Sequence, residues 1–261
     1  MWRNSSFRFS AFILAAISLI CGCQATFHSQ EKQISLSRLG TFDGAEGIKC
    51  IGQSVENRPI GCVVHGQGAD VILIIAAIHG DEQDSGILCY KLNEYLHRNR
   101  HILQGRTIVL LPEANPDGVF RNSRFNARGI DLNRNFPADN RLNNDINGEK
   151  AVCEPESAVI YQLIEKYLPT RVISIHQPYK CIDYDGPGKK IAEHMAKYCD
   201  LPVKKLGSRP GSLGSYAGLE LGIPIITVEL GPDEENYGPD QVWDSYGKML
   251  LSAVMYPEQV D

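Results

Sequence analysis

Residues 74–82 read Ile74-Ile75-Ala76-Ala77-Ile78-His79-Gly80-Asp81-Glu82. An apolar run with strand character ends in His-x-x-Glu, which puts an imidazole and a carboxylate side by side in the turn after a buried strand. Zinc accepts such mixed nitrogen and oxygen ligands, and a catalytic site needs three of them with the fourth position open. One His-x-x-Glu is a weak signal, and two later segments strengthen it. Arg171-Val172-Ile173-Ser174-Ile175-His176 is a second apolar strand ending in histidine. Ile223-Pro224-Ile225-Ile226-Thr227-Val228-Glu229 is a third, ending in a carboxylate. Strand ends are where open α/β sheets gather their chemistry. Three strand ends thus deliver His79, Glu82, His176 and Glu229 as candidate groups for a metal site.

Outward from that stretch, strands and helices alternate. A hairpin is expected over 48–64, turning at Glu56-Asn57-Arg58-Pro59. A strand (71–78), a helix from Gln83 to His97, a strand (106–111) and a long loop (112–150) follow. A helix (154–167), a strand (171–176), a helix (188–199), a strand (224–230) and a helix (241–255) complete the chain. This order predicts an α/β/α fold, a mostly parallel or mixed central sheet with helices on both faces. The hairpin reading sets Cys50 opposite Cys62 and makes them the one disulfide pair that can be argued locally. Cys-x-x-Cys spacing is absent, which argues against a structural zinc cluster.

With 261 residues, no repeat and no Pro/Ser-rich linker, the chain suits one sizeable catalytic domain, set at 47–261. Its 43% apolar and 22% charged composition excludes a disordered chain. A net charge of −5 without a basic block argues against nucleic acid as a partner. The N-terminus differs in kind. Arg3 and Arg8 precede the apolar stretch from Phe9 to Ile20, too short to span a bilayer but suited to a signal-peptide core. Ile20-Cys21-Gly22-Cys23 resembles a bacterial lipobox, the alternative being ordinary cleavage near Ala25. The expectation is a lipoprotein signal over 1–22, a tether over 23–46, and export to the periplasmic face of a bacterial envelope with a lipid anchor at Cys23.

The long loop carries Pro112-Glu113-Ala114-Asn115-Pro116-Asp117-Gly118 and then Arg121-Asn122-Ser123-Arg124-Phe125-Asn126-Ala127-Arg128-Gly129-Ile130-Asp131-Leu132-Asn133-Arg134-Asn135-Phe136-Pro137. Arginines close to a metal suit the two-point clamping of a carboxylate. His-x-x-Glu, Asn-Pro-Asp-Gly, Gly-Ile-Asp-Leu-Asn-Arg-Asn-Phe, a later strand-end His and a final Thr-Val-Glu-Leu occur together in an order that resembles the zinc carboxypeptidase family, from about Gly47 to Tyr256. The resemblance implies His79, Glu82 and His176 as ligands of one zinc ion and Glu229 as general base. It also implies Arg124 as the oxyanion-stabilising arginine, with Arg121 and Arg128 close by, and Asn133 with Arg134 as the grip on a substrate's terminal carboxylate.

Digestive members of that family carry a mobile tyrosine before the final strand. Here the region from Lys204 to Tyr216 places none there, and Tyr216 is expected to pack. This departure, with the segment Pro178 to Pro187, resembles the murein peptide amidase branch, whose members cleave the γ-D-glutamyl–diaminopimelate bond of cell-wall peptides. For such a substrate, Asp183 and Asp185 would meet the far ammonium, and Lys180 or Arg209 the far carboxylate. The competing reading makes Asp-x-Asp a pair of turn-formers capping the helix that starts near Gly188. Other readings remain open: a general metallocarboxypeptidase, an N-acyl amino acid deacylase, and a catalytically retired lipoprotein that binds peptidoglycan peptides. His65, His97, His101 and His194 lie off the strand-end pattern and are expected to be structural or superficial.

Overall fold

The computed structural model describes residues 47–232, 237–258 and 260. The expected signal segment and tether lie outside the described residues, as does Asp233-Glu234-Glu235, which reads in sequence as a solvated acidic turn or a lid element. Among the described residues there are seven strands: β1 (Lys49–Gln53), β2 (Pro59–Gly66), β3 (Asp70–Ala76), β4 (Arg106–Leu111), β5 (Arg171–His176), β6 (Cys181–Asp185) and β7 (Ile225–Glu229). They form one sheet in the order β1-β2-β4-β3-β5-β7-β6. Pairs β3–β4, β3–β5 and β5–β7 are parallel, whereas β1–β2, β2–β4 and β6–β7 are antiparallel. Among the described residues five α-helices accompany the sheet: α1 (Gln83–Arg98), α2 (Pro116–Arg121), α3 (Pro155–Tyr167), α4 (Lys189–Met195) and α5 (Pro239–Met255). A π-helical segment covers Gly214–Glu220.

Alternation along each central strand divides the core into two layers. Ile72 and Ile74 of β3, Ile173 and Ile175 of β5, and Ile226 and Val228 of β7 join residues of α1, α4 and α5 in one apolar cluster. Leu73, Ile75, Val172 and Ile225 face the other way, against α3 and the π-helical segment. Each of these aliphatic side chains is essentially out of water and contributes about 1.5–3 kcal/mol by leaving it. At the base of β5, the Arg171 guanidinium pairs with Asp70 at 2.8 and 2.9 Å and donates to the carbonyls of Ala253 and Val254. That contact fixes the C-terminal end of α5, where a cation suits the helix dipole.

Three expectations need correction. The segment after His176 contains strand β6, because Cys181, Asp183 and Asp185 alternate onto its buried side and pair with β7. The long loop is interrupted by α2, capped by Asn115, whose side chain accepts from Gly118 N–H at 2.9 Å. Cys50 and Cys62 do not bond. A bulge between Cys50 and Gly52 sets Cys50 opposite Gly61 and Cys62 opposite Lys49. Both thiols are free, one exposed and one buried, since a one-residue slip turns a side chain to the other face.

Candidate metal centre and substrate cleft

Strand β3 ends at Ala76, and Ala77 turns sharply through the left-handed region (φ 48°). That conformation costs an L-residue roughly 1–2 kcal/mol. It is held by Ser85 Oγ, which accepts from Ala77 N–H at 2.9 Å, and by Asn115 N–H, which donates to Ala77 C=O at 3.0 Å. Gly80 then lies against α2 so closely that a Cβ there would sit 1.9 Å from the Gly118 carbonyl carbon. The turn directs His79 inward and brings Glu82 to the N-terminus of α1, where a carboxylate meets the positive end of the dipole. Asp117 of Asn-Pro-Asp-Gly serves this architecture. Wholly buried, it accepts from Ser54 Oγ, Glu56 N–H and Arg58 Nη1 at 2.6–3.0 Å and so ties the hairpin turn to α2.

His176 and Glu229 close β5 and β7 as direct register partners. His79, Glu82 and His176, all buried, bring one ligand atom each to within 4.8 Å of one another. The Nδ1 atoms of His79 and His176 lie 2.7 and 2.8 Å from the two Glu82 oxygens. Asp131 Oδ1 sits 3.1 Å from His79 Nε2, the outer carboxylate that fixes a ligating imidazole's orientation and tautomer. Nothing in the sequence pattern gave Asp131 that role. Its place at the head of the Asp-Leu-Asn-Arg run was the available signal.

The electrostatics favour a cation. Burial works against a charged His79, yet its bonds to Asp131 and Glu82 outweigh burial and lift its pKa to about 9. Burial would raise Glu82, but His176 and His79 hold it at about 2. Two imidazoles and a carboxylate of this kind are a donor set that fits zinc. Glu229 behaves differently. Burial raises it to about 7, with Glu82 pushing the same way and His176 opposing.

Of the three arginines, Arg124 alone reaches this centre. It grips Asp131 Oδ2 through Nε and Nη2 (3.1 and 2.9 Å), and its Nη1 lies 3.3 Å from His79 Nδ1. Arg121 pairs with Glu56, and Arg128 with Glu154 at 3.3 Å. Asn133 accepts from Leu213 N–H at 2.9 Å and lies 3.4 Å from His176, while Arg134 Nη1 donates to Asn133 C=O. His79, Glu82, His176, Glu229, Arg124, Asn133 and Arg134 line a cleft of about 110 Å³, together with Ser174, Gln177, Tyr179, Asp183, Asp185, Arg209 and Thr227, whereas Arg121 and Arg128 do not. A larger groove of about 490 Å³ between β1, β2 and α3 has neither acid nor histidine in its walls and cannot rival the cleft in chemistry.

Asp183 and Asp185 sit on β6, two and four residues from its start, and cap no helix. The N-cap of α4 is Gly188, with no side-chain hydrogen bond. Asp185 Oδ1 accepts from Lys205 Nζ and Ser208 Oγ. Lys180 does not line the cleft, whereas Arg209 does. Tyr216 packs as expected, stacked on Phe136 and Tyr161. His65 is satisfied by Asn93 at 2.7 Å, and His194 lies against Tyr198 and Tyr256.

Fold and site together define a metal-dependent hydrolase with its centre at the C-terminal ends of parallel strands. The family model described as zinc carboxypeptidase matches residues 47–186, and the chain belongs to that family. It is 36% identical over 178 residues to murein peptide amidase A of Escherichia coli (strain K12), covering 61% of this chain and 71% of that protein. It is 32% identical over 198 residues to murein peptide amidase A of Vibrio campbellii, covering 68% and 76%. Among solved structures, a murein-tripeptide amidase from Escherichia coli O157 superposes with a TM-score of 0.66 at 26% identity, covering 86% of this chain and 97% of that one.

Proposed function

We propose that this chain is a zinc-dependent exopeptidase of the bacterial envelope. Its reaction is hydrolysis of the amide bond to a C-terminal residue with a free carboxylate, in murein-derived peptides the γ-D-glutamyl–diaminopimelate bond. The observation that carries the reading is the convergence of His79, Glu82 and His176 beside Glu229. The names of the relatives support the substrate. The lipobox-like Ile20-Cys21-Gly22-Cys23 supports export and anchoring at Cys23, where such peptides are found.

His79 and His176 through Nδ1, and Glu82 through its carboxylate, would hold the zinc ion. When bound, zinc supplies Lewis-acid polarisation of the scissile carbonyl and lowers the pKa of water. Glu229 takes the proton of the attacking water and passes it to the leaving amine, work that suits a carboxylate whose pKa burial has raised to about 7. Arg124 faces the oxygen on which negative charge develops, a role worth about 3 kcal/mol for comparable donors. Asn133 and Arg134 hold the free carboxylate and so restrict cleavage to the chain end. Asp131 keeps His79 in the tautomer that leaves Nδ1 free to ligate.

The test is purified protein with its metal content measured, incubated with L-Ala-γ-D-Glu-diaminopimelate, ordinary C-terminal dipeptides and N-acetyl amino acids, with and without chelator. Release of diaminopimelate that chelator abolishes is expected. Undiminished turnover in metal-stripped protein, preference for the ordinary dipeptides, or release of acetate would overturn the corresponding part. Mass spectrometry of the mature N-terminus, expected to find acylated Cys23, tests the anchor.

A further inference from the structure

The loop that carries Arg124, Asp131, Asn133 and Arg134 is clamped at two points to the first turn of α3. Asn126 makes the first clamp. Its Nδ2 donates to Glu154 Oε2 at 2.7 Å and to Glu156 Oε2 at 3.2 Å, while its Oδ1 accepts from the N–H groups of Arg128 and Ile130, both at 3.0 Å. Its own N–H and C=O bond to Ile130 C=O and Gly129 N–H, so every polar group of the residue is engaged. Asn135 makes the second clamp, accepting from Ser157 Oγ at 2.6 Å and from Glu154 N–H at 3.3 Å. Asn126, Asn135, Glu154, Glu156 and Ser157 are all buried, and none of them lines the cleft.

The acids behind Asn126 are costly to bury. Glu156 forms no ion pair among the described residues, and its other oxygen accepts from Val55 N–H at 3.1 Å. Glu154 meets Arg128 at 3.3 Å, a guanidinium more than half exposed. As the N-cap of α3 it would ordinarily accept from the helix's own N–H groups. It makes no such bond and turns to Asn126 instead. Two buried acids sharing one amide do less for stability than apolar side chains of their size would. What they do is fix that amide, since asparagine is a short side chain that donates on one side and accepts on the other. Two short links carry the effect to the metal centre. Arg124 and Asp131 close the neck of the 124–131 loop at 2.9 and 3.1 Å, and Asp131 Oδ1 meets His79 Nε2 at 3.1 Å.

We infer that Asn126 is a positioning residue: gripped by Glu154 and Glu156, it sets the curve of the 124–131 loop, aims Arg124 and holds Asp131 against His79. Asn135 with Ser157 sets the residues that follow, Asn133 and Arg134. The inference rests on the exopeptidase reading for the work of Arg124, and on the geometry alone for the hold on His79. It divides the loop in two. One half governs turnover and metal affinity, and the other governs the grip on the substrate's carboxylate.

The experiment uses the full zinc-loaded chain, L-Ala-γ-D-Glu-diaminopimelate as substrate, and zinc affinity measured against a competing chelator. Asn126→Asp turns a donor into an acceptor facing two acids. Per folded molecule, kcat is expected to fall about 100-fold and zinc affinity about tenfold, with KM within about threefold of wild type. Adding Glu154→Gln to that variant reverses donor and acceptor in the 2.7 Å bond, and should bring kcat back to within about fivefold. Ser157→Ala, which takes the 2.6 Å bond from Asn135, should do the opposite: KM rises about fivefold and kcat holds. If Asn126→Asp does not fold, Glu156→Gln replaces it, with an expected tenfold fall in kcat at unchanged KM. Unchanged kcat and zinc affinity in the folded variants would reduce Asn126 to a structural anchor and overturn the inference. The same kcat and KM pattern in Ser157→Ala would also overturn it. If the wild type does not hydrolyse the peptide, the exopeptidase reading fails and zinc affinity decides alone. Weaker affinity in Asn126→Asp, regained with Glu154→Gln, sustains the positioning role, and unaltered affinity ends it.

Discussion

On one face of β5 and β7, Ile173, Ile175, Ile226 and Val228 are packed out of water against α1, α4 and α5. On the other face, one residue along each time, Ser174, His176, Thr227 and Glu229 look into the cleft. Because strand side chains alternate, a single eight-residue set supplies both the stability of the sheet and the chemistry at its edge. The polar face tolerates a carboxylate raised to about 7 and an unpaired serine hydroxyl because the apolar face offsets their cost. Function and stability should therefore respond separately to substitutions one residue apart.

The sharpest test of that separation is Glu229→Gln. Removing the proton carrier should lower kcat by about a thousandfold, ~4 kcal/mol, while thermal unfolding stays unchanged or improves. Turnover within tenfold of wild type would remove Glu229 from the chemistry. On the opposite face, Ile175→Ala leaves a cavity beneath the neighbouring His176 and should cost about 3 kcal/mol of stability in denaturant unfolding. Activity per folded molecule should change little. If activity instead falls in proportion to stability, the two faces are coupled and the comparison breaks.

A smaller effect separates the centre from its support. Asp131→Asn leaves all three ligands in place but loosens the hold on His79 Nε2, 3.1 Å away, and releases Arg124. Zinc affinity measured with a competing chelator should fall about 10–100-fold. An unchanged affinity would confine Asp131 to orienting Arg124.

The pH dependence follows from Glu229. As a base it must be ionised, so kcat/KM rises with pH through its pKa. A cation bound at the centre would draw that pKa down from about 7 towards its ordinary 4.5, so the acid limb should fall between these values. Stability runs the opposite way in metal-stripped protein. A carboxyl whose folded pKa lies above its unfolded one binds its proton more tightly when folded, so stability is full below 4.5 and declines as pH rises to 7. Comparing melts of wild type and Glu229→Gln across that range isolates the contribution, which should vanish in the variant.

How much of this was legible in the sequence depended on the same two faces. Strands β4 and β5 were readable to the residue because interior strands covered on both faces are continuous apolar runs, and the end of β5 announced His176. Strand β6 was missed, since Cys181-Ile182-Asp183-Tyr184-Asp185 buries acids where the pattern expects aliphatics. The reason those acids are buried lies in tertiary partners, Lys205, Ser208 and Leu206 N–H, about twenty residues away. Asp131 and Asn126 were invisible as partners for a related reason: their roles come from what the fold sets beside them. Helix α2 hid inside a loop because its six residues are too few for an amphipathic period, although Asn115-Pro116 is a recognisable start.

The smallest expected effect concerns the edge of the sheet, where the hairpin reading placed Cys50 opposite Cys62. A disulfide closing so short a loop would stabilise the chain by about 3 kcal/mol, enough to move a melting temperature by several degrees. The bulge before Gly52 instead leaves Cys50 exposed, its Sγ 3.2 Å from Gly52 C=O, with Cys62 buried within β2. Burial pushes the Cys62 thiol up to about 11, so little thiolate exists there near neutrality. Dithiothreitol should therefore leave the melting temperature unchanged. A thiol reagent should label Cys50 in the folded protein and reach Cys62 only after denaturation. A reductant-dependent drop, with Cys50 unreactive beforehand, would mean the strands pair one residue out of the described register. It would turn every second side chain of β1 to the other side of the sheet and leave β5, β7 and the cleft as they are.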